Sequence, residues 1–157
     1  MLHHKLLRPL VSVALCSTLG IGLLGAANDA ASTADTQFTQ QAMQLLLQSV
    51  SNANPAQADG SDGVKTLASS VQSDEVSVGT QLVSIASFYG IKVSTESPKP
   101  SCTASDYAAD QAKALSHLVV LFQAEQLNGG GAQLRSFAAQ ALPVLEKDLS
   151  AAREAQG

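Results

Sequence analysis

Tryptophan is absent from the 157 residues, and aromatic residues together make up only 4%. Sheets favour β-branched and aromatic side chains, whereas this chain is rich in Ala, Leu, Gln and Ser, which argues against an all-β sandwich. Cysteine occurs twice, which excludes a disulfide-dense miniprotein. Charged residues are 14%, no long basic run occurs, and the net charge is -4, so nucleic acid is not expected as a partner. The chain has no phosphate-binding glycine loop, because Gly129-Gly130-Gly131 lacks the Lys and the preceding strand. It has no G-x-S-x-G elbow and no strand alternation of the β-barrel kind. With 45% hydrophobic residues it is not a disordered acidic tail.

The first 27 residues have a three-part pattern. His3, His4, Lys5 and Arg8 make a positive start, Leu10 to Leu24 is apolar or small, and Gly25-Ala26-Ala27 supplies small residues. That is the layout of a secretory signal peptide, with cleavage expected after Ala27. A spanning helix usually needs ~20 apolar residues, so a membrane contact is expected only if this segment is retained. Val13-Ala14-Leu15-Cys16 loosely imitates a lipid-attachment box. However, Leu15 stands where a small residue is needed, and Cys16 lies inside the apolar run.

Export of residues 28–157 leaves seven basic and 13 acidic residues, a net charge of -6. One His, His117, and one Cys, Cys102, remain. A single Cys cannot form an intramolecular disulfide, so Cys102 is a lone thiol or an intermolecular bridge, and its Pro-rich loop looks exposed.

Four helical segments are expected in one domain. The first runs from about 35 to 53, with Asp35 as N-cap and Pro55 as its stop. Residues 54–63 form a turn ending in an Asp62 cap. Asp59 to Gly63 lacks the ligand spacing and distal Glu of a calcium loop. The second segment runs from 64 to 89 and carries Val64, Leu67, Val71, Val78, Leu82, Ile85 and Tyr89 on one face, with Gly90 as its C-terminal cap. Residues 91–104 are a loop. The third segment runs from about 105 to 128, with Tyr107, Ala114, Leu118, Leu121 and Phe122 inward. The fourth runs from 132 to 155, with Leu134, Ala138, Ala141, Leu145, Leu149 and Ala152 inward, and Pro143 interrupting it. The fold class is therefore all-α, an up-down four-helix bundle.

Some stripe positions are polar. Asp74 falls three after Val71 and four before Val78, with Glu75 beside it. Asp148 falls three after Leu145, Glu125 extends the line Leu118–Leu121, and His117 lies three after Ala114 and four before Leu121. Inward carboxylates with an inward His are the general plan of a bundle metal site. A di-iron bundle, however, needs Glu-x-x-His on two helices, and here Ala114 stands three before His117. No cofactor is expected. Asp74, Glu75, His117, Glu125 and Asp148 are the metal-ion candidates. A metal function requires them to converge at one level of the bundle.

The segment from Val64 to Glu75, continuing to Leu82, resembles the second helix of the exported bacterial family labelled domain of unknown function 4142. Leu134 to Leu149, with Pro143 in place, resembles its closing helix, and Tyr107 and Leu121-Phe122-Gln123-Ala124-Glu125 fit its third. The resemblance covers about residues 36–155 and implies a ferritin-like bundle without an established activity. Relatives are often labelled predicted outer membrane proteins. The family commonly has Asp-His where Asp74-Glu75 stands, a His near Leu115, and a His where Asp148 stands. No catalytic residue carries over. The expectation is a non-enzymatic exported protein, periplasmic or envelope-associated. Its partner is unidentified, and a homodimer is compatible with the sequence.

Overall fold

The structure, a computed structural model, describes residues 30–156. The signal peptide, its cleavage after Ala27 and the Cys16 motif lie outside the described residues. All regular structure among the described residues is helical: α1 (Thr33–Asp59), α2 (Asp62–Phe88), α3 (Tyr107–Asn128) and α4 (Ala132–Glu154). These form the expected four-helix bundle. No described helix is long and apolar enough to cross a membrane.

Local signals set most of the helix ends. Ser32 is the N-cap of α1 and forms a capping box with Asp35, so Asp35 sits one turn inside the helix and is not its N-cap. Ser61, one residue before the expected Asp62, caps α2 by accepting from the Val64 N–H. Gly90 follows α2 with φ +68°, a backbone state that only Gly adopts cheaply. Pro55 does not stop α1, which continues to Asp59. A proline removes one backbone bond, but Ala53 and Ala56 on either side are fully buried, and their packing carries the helix through. Pro143 is likewise accommodated inside α4.

Helix α1 packs mainly on α2, and α3 on α4. Contacts of α1 with α3 and α2 with α4 join the two hairpins, while α2 and α3 barely touch. The ends show the directions. Asp35 in the first turn of α1 accepts from Gly130 (2.7 Å) and Gly131 (3.1 Å), which link α3 to α4. Tyr89, just after α2, accepts from the Gln133 N–H in the first turn of α4. The starts of α1 and α4 and the ends of α2 and α3 thus share one end of the bundle. The order is up, down, down, up and not strict alternation, because residues 89–106 recross the bundle. One long crossover is the connectivity of ferritin-like bundles.

That crossover climbs along α1. Gln40 donates to the Lys92 carbonyl (3.2 Å), Gln48 to the Lys99 carbonyl (3.1 Å), and Asn52 accepts from the Ser101 N–H (2.8 Å). Spaced four or eight residues apart, these amides lie on one face of α1. Near the Asp35 end, Phe122 packs edge-on to Phe38 (5.1 Å between centroids) and tilted against Phe137 (5.6 Å), tying α3 to α1 and α4.

Asp35 is fully buried and accepts from three backbone N–H groups, those of Ser32, Gly130 and Gly131. Asp35→Ala should cost about 3 kcal/mol, since it orphans those donors and breaks the capping box. The exposed Asp59→Ala should cost less than ~0.5 kcal/mol. Urea midpoints measured at unchanged slope check both values, and equal losses would show that Asp35 does not close the bundle.

Candidate functional site

The heptad-like spacing of buried residues places one polar side chain of each helix at the same level. On α2 the buried positions are Leu67, Ala68, Val71, Glu75, Val78, Gly79, Leu82 and Ala86, so the interruption in the stripe is filled by Glu75 and not by Asp74. On α4 they include Leu134, Ala138, Ala141, Leu145, Asp148, Leu149 and Ala152. Gln111 takes the equivalent place on α3, and Ser49 on α1. Glu75, Asp148, Gln111 and Ser49 are each about 1% exposed.

Three of them, Ser49, Gln111 and Glu75, form a short chain of hydrogen bonds. The Ser49 hydroxyl donates to Gln111 Oε1 (2.8 Å), and Gln111 Nε2 donates to Glu75 Oε1 (3.0 Å). Three buried oxygens on three helices have no partner: Glu75 Oε2, Tyr107 OH and Asp148 Oδ2. Burial pushes the Glu75 carboxyl up to about 8, the negative charge of Asp148 adding to it and the Ser49 and Gln111 hydrogen bonds opposing it. Burial also pushes the Tyr107 hydroxyl up, with the Glu75 charge adding. At neutral pH Glu75 is a neutral acid, a hydrogen-bond donor through one oxygen.

Asp74 is half-buried at the edge of this layer. Lys147 Nζ bridges Asp74 Oδ2 (2.6 Å) and Asp148 Oδ1 (3.4 Å), so α2 and α4 share one ammonium. Burial pushes Asp148 up to about 6, and the adjacent Lys147 charge holds it from rising further. The strongest positive charge near these carboxylates is thus a side chain of the protein itself.

The other two candidates are elsewhere. Glu125 lies at the Asp35 end, buried, with Oε1 unpartnered and pressed against Gly129, where any Cβ would collide with it. Burial, then the charge of Asp35, pushes Glu125 up to about 7 against the opposing charge of Arg135. His117 is exposed, in a shallow cleft with Lys113 and Arg153. The structure therefore brings Asp74, Glu75 and Asp148 together, and separates them from Glu125 and His117. The five do not converge at one level. Among the described residues, no three His, Cys, Asp or Glu side chains are placed to hold a metal ion.

The placement of His117 corrects the phase expected for α3. The buried line is Tyr107, Gln111, Leu115, Leu118, Phe122 and Glu125, whereas Ala114 and Leu121 are only half-buried. His117 falls between the buried positions. Gln111 was the residue missed; its signal was the spacing of four to Leu115 and seven to Leu118. Cys102 is also less open than its loop suggests. It is half-buried against the core, and burial, then the charges of Asp110 and Asp106, raises its thiol above 9.0. Such a thiol is a poor nucleophile at neutral pH.

A family model described as Domain of unknown function (DUF4142) matches residues 23–155. The chain belongs to this family. No curated protein and no solved structure matches the chain. The family description assigns no activity. In the polar layer an acid, an amide and a hydroxyl share hydrogen bonds.

The raised carboxyls make stability depend on pH in a defined direction. A carboxyl whose folded value exceeds its unfolded one stabilises most below the unfolded value and loses that contribution as pH rises through the folded value. For Glu75 that window runs from 4.5 to about 8, with Glu125 (about 7) and Asp148 (about 6) adding in the same direction. Stability to urea should fall steadily from pH 5 to pH 8. Glu75→Gln keeps an acceptor for Gln111 and cannot ionise, so its decline should be shallower and its stability at pH 8 above wild type. Parallel pH profiles would show that Glu75 ionises as easily in the fold as in water.

Proposed function

We propose that this protein is an exported, non-enzymatic helical bundle of the periplasm or envelope, whose role is binding and not catalysis. The sequence pattern of residues 1–27 supports export. One observation carries the non-enzymatic reading: the hydrogen bonds and ion pairs of the interior polar layer join carboxyls to an amide or a lysine and a hydroxyl to that amide, with no histidine among them. Gln111 holds Glu75, Lys147 holds Asp74 and Asp148, and Glu125 lies beside Asp35 at the far end. His117, the one histidine among the described residues, stands on the surface away from all of them. General acid–base catalysis needs a titrating group within hydrogen-bond reach of a reacting proton, and nucleophilic catalysis needs a base beside the nucleophile.

Two measurements on untagged protein from the exported fraction, never exposed to chelators, check this reading. N-terminal sequencing should begin at Asn28, within a few residues, and a retained Met1 would replace export of a free domain by an anchored one. Elemental mass spectrometry should find iron, manganese and zinc far below one per chain. Near-stoichiometric metal would instead support a degenerate ferritin-type site, with Glu75 and Asp148 the first side chains to remove.

A further inference from the structure

Among the described residues four large apolar side chains face water: Val76, Phe88, Val120 and Leu127. A single exposed Leu or Val on a helix needs no explanation. Phe88 and Leu127 differ from the other two in position. Phe88 is the last residue of α2 and Leu127 the last but one of α3, so both stand at the end of the bundle that also holds the starts of α1 and α4. There they are 55% and 76% exposed. The last turn of a helix favours Lys or Arg, which complement its exposed carbonyls, yet neither α2 nor α3 has a basic residue in that turn. Because α2 and α3 barely touch, the two side chains occupy opposite corners of that end.

Charge is divided the same way. Among the described residues within two turns of this end, the acidic side chains, Asp35 and Glu125, are buried, and the charges that reach solvent are those of Lys92 and Arg135. At the opposite end Asp59, Asp62, Asp106 and Glu154 are exposed against Lys65 and Arg153, while Lys113 is paired with Asp110 (3.6 Å). The bundle therefore has an apolar, weakly cationic end and an anionic one. The chain also enters at the cationic end. Ser32 caps α1 there, so the apolar run Leu10–Leu24 is attached to that end.

We propose that this end docks on a lipid bilayer, with Phe88 and Leu127 as two apolar feet and the helices standing upright on the surface. The contact is peripheral, since no described helix is long and apolar enough to cross the membrane. Two feet at opposite corners hold the end plane, and not one flank, against the lipid. The hydrocarbon of both side chains leaves water, Lys92 and Arg135 bring positive charge to the headgroup phosphates, and the anionic end points away. Val76 precedes Phe88 by 12 residues and Val120 precedes Leu127 by seven, about 18 and 10 Å up their helices, too far to insert with them. This inference supplies a partner surface for the envelope association proposed above and rests on that reading for its setting.

The absence of Trp makes the chain its own fluorescence blank. The mature chain should co-sediment with vesicles of phosphatidylethanolamine containing a minor share of phosphatidylglycerol. Phe88→Ser and Leu127→Ser should each weaken binding about tenfold, as loss of one inserted apolar side chain implies. Val76→Ser should leave binding unchanged, and all three variants should keep the helical circular dichroism of wild type. The fluorescence of Phe88→Trp and Leu127→Trp should be quenched by brominated lipid, and that of Val76→Trp should not. The proposal is overturned if wild type stays in the supernatant, if Val76→Ser weakens binding as much as Phe88→Ser, or if brominated lipid quenches all three Trp variants alike. A dimer in the absence of vesicles that Phe88→Ser breaks, seen by light scattering, would also overturn it, since a second copy would then cover this end. N-terminal sequencing decides export and vesicle binding decides this face, so each can fail alone.

Discussion

After α2 the chain travels the length of the bundle before it can begin α3, and three amide side chains of α1 hold it on that path. Helices of 27 residues at 1.5 Å per residue are about 40 Å long, and an extended segment at about 3.3 Å per residue covers that distance with residues 89–106. Gln40, Gln48 and Asn52 mark the climb. A short turn in its place would return α3 antiparallel to α2 and carry Gln111 to the opposite end, away from Glu75. The crossover therefore fixes the direction of α3 and the level at which the four polar side chains meet.

Asp35, where that climb starts, and Glu75, midway along the bundle, are buried carboxyls handled in opposite ways. Burial alone would raise Asp35, but the N–H groups of Ser32, Gly130 and Gly131 and the Ser32 hydroxyl outweigh it and hold the carboxyl below its ordinary value. Asp35 is kept as an anion, and its charge joins three chain segments. Glu75 meets one amide and one hydroxyl, with further carboxylates behind it, and so it is kept neutral. The difference is supply of donors: backbone N–H groups are plentiful at a helix start and absent from mid-helix, where every amide is already bonded. A buried carboxyl in the middle of a bundle has only side chains to call on, and protonation is its cheapest settlement.

The fold was largely legible. Period and caps located four helices, and Leu134, Ala138, Ala141, Leu145, Leu149 and Ala152 were all read as inward and are buried. Errors arose where a local rule met packing. Pro55 is a helix breaker locally, yet buried Ala53 and Ala56 override it. At residues 74 and 75 the large apolar residues alone allow either phase, since Asp74 is three from Val71 and Glu75 is four. The small residues Ala68, Gly79 and Ala86, all buried, settle the phase on Glu75 but contribute little to a stripe read by size. On α3 the same neglect placed His117 inward. The crossover's course was not legible at all, because Gln40 and Gln48 read as solvent-facing positions until their partners 51 and 52 residues away are known.

Stability is distributed unevenly along the bundle. The aromatic layer of Phe38, Phe122 and Phe137 and the fully engaged Asp35 tie one end together, where Glu125 leaves a single buried oxygen unmatched. The central layer has three such oxygens, on Glu75, Tyr107 and Asp148. Each unmatched group forgoes about 1–3 kcal/mol that a hydrocarbon of similar shape would not. Local rules that agree everywhere else in a fold are usually broken where it acts. In this bundle the central break falls at Glu75, where the apolar stripe of α2 gives way to the polar layer.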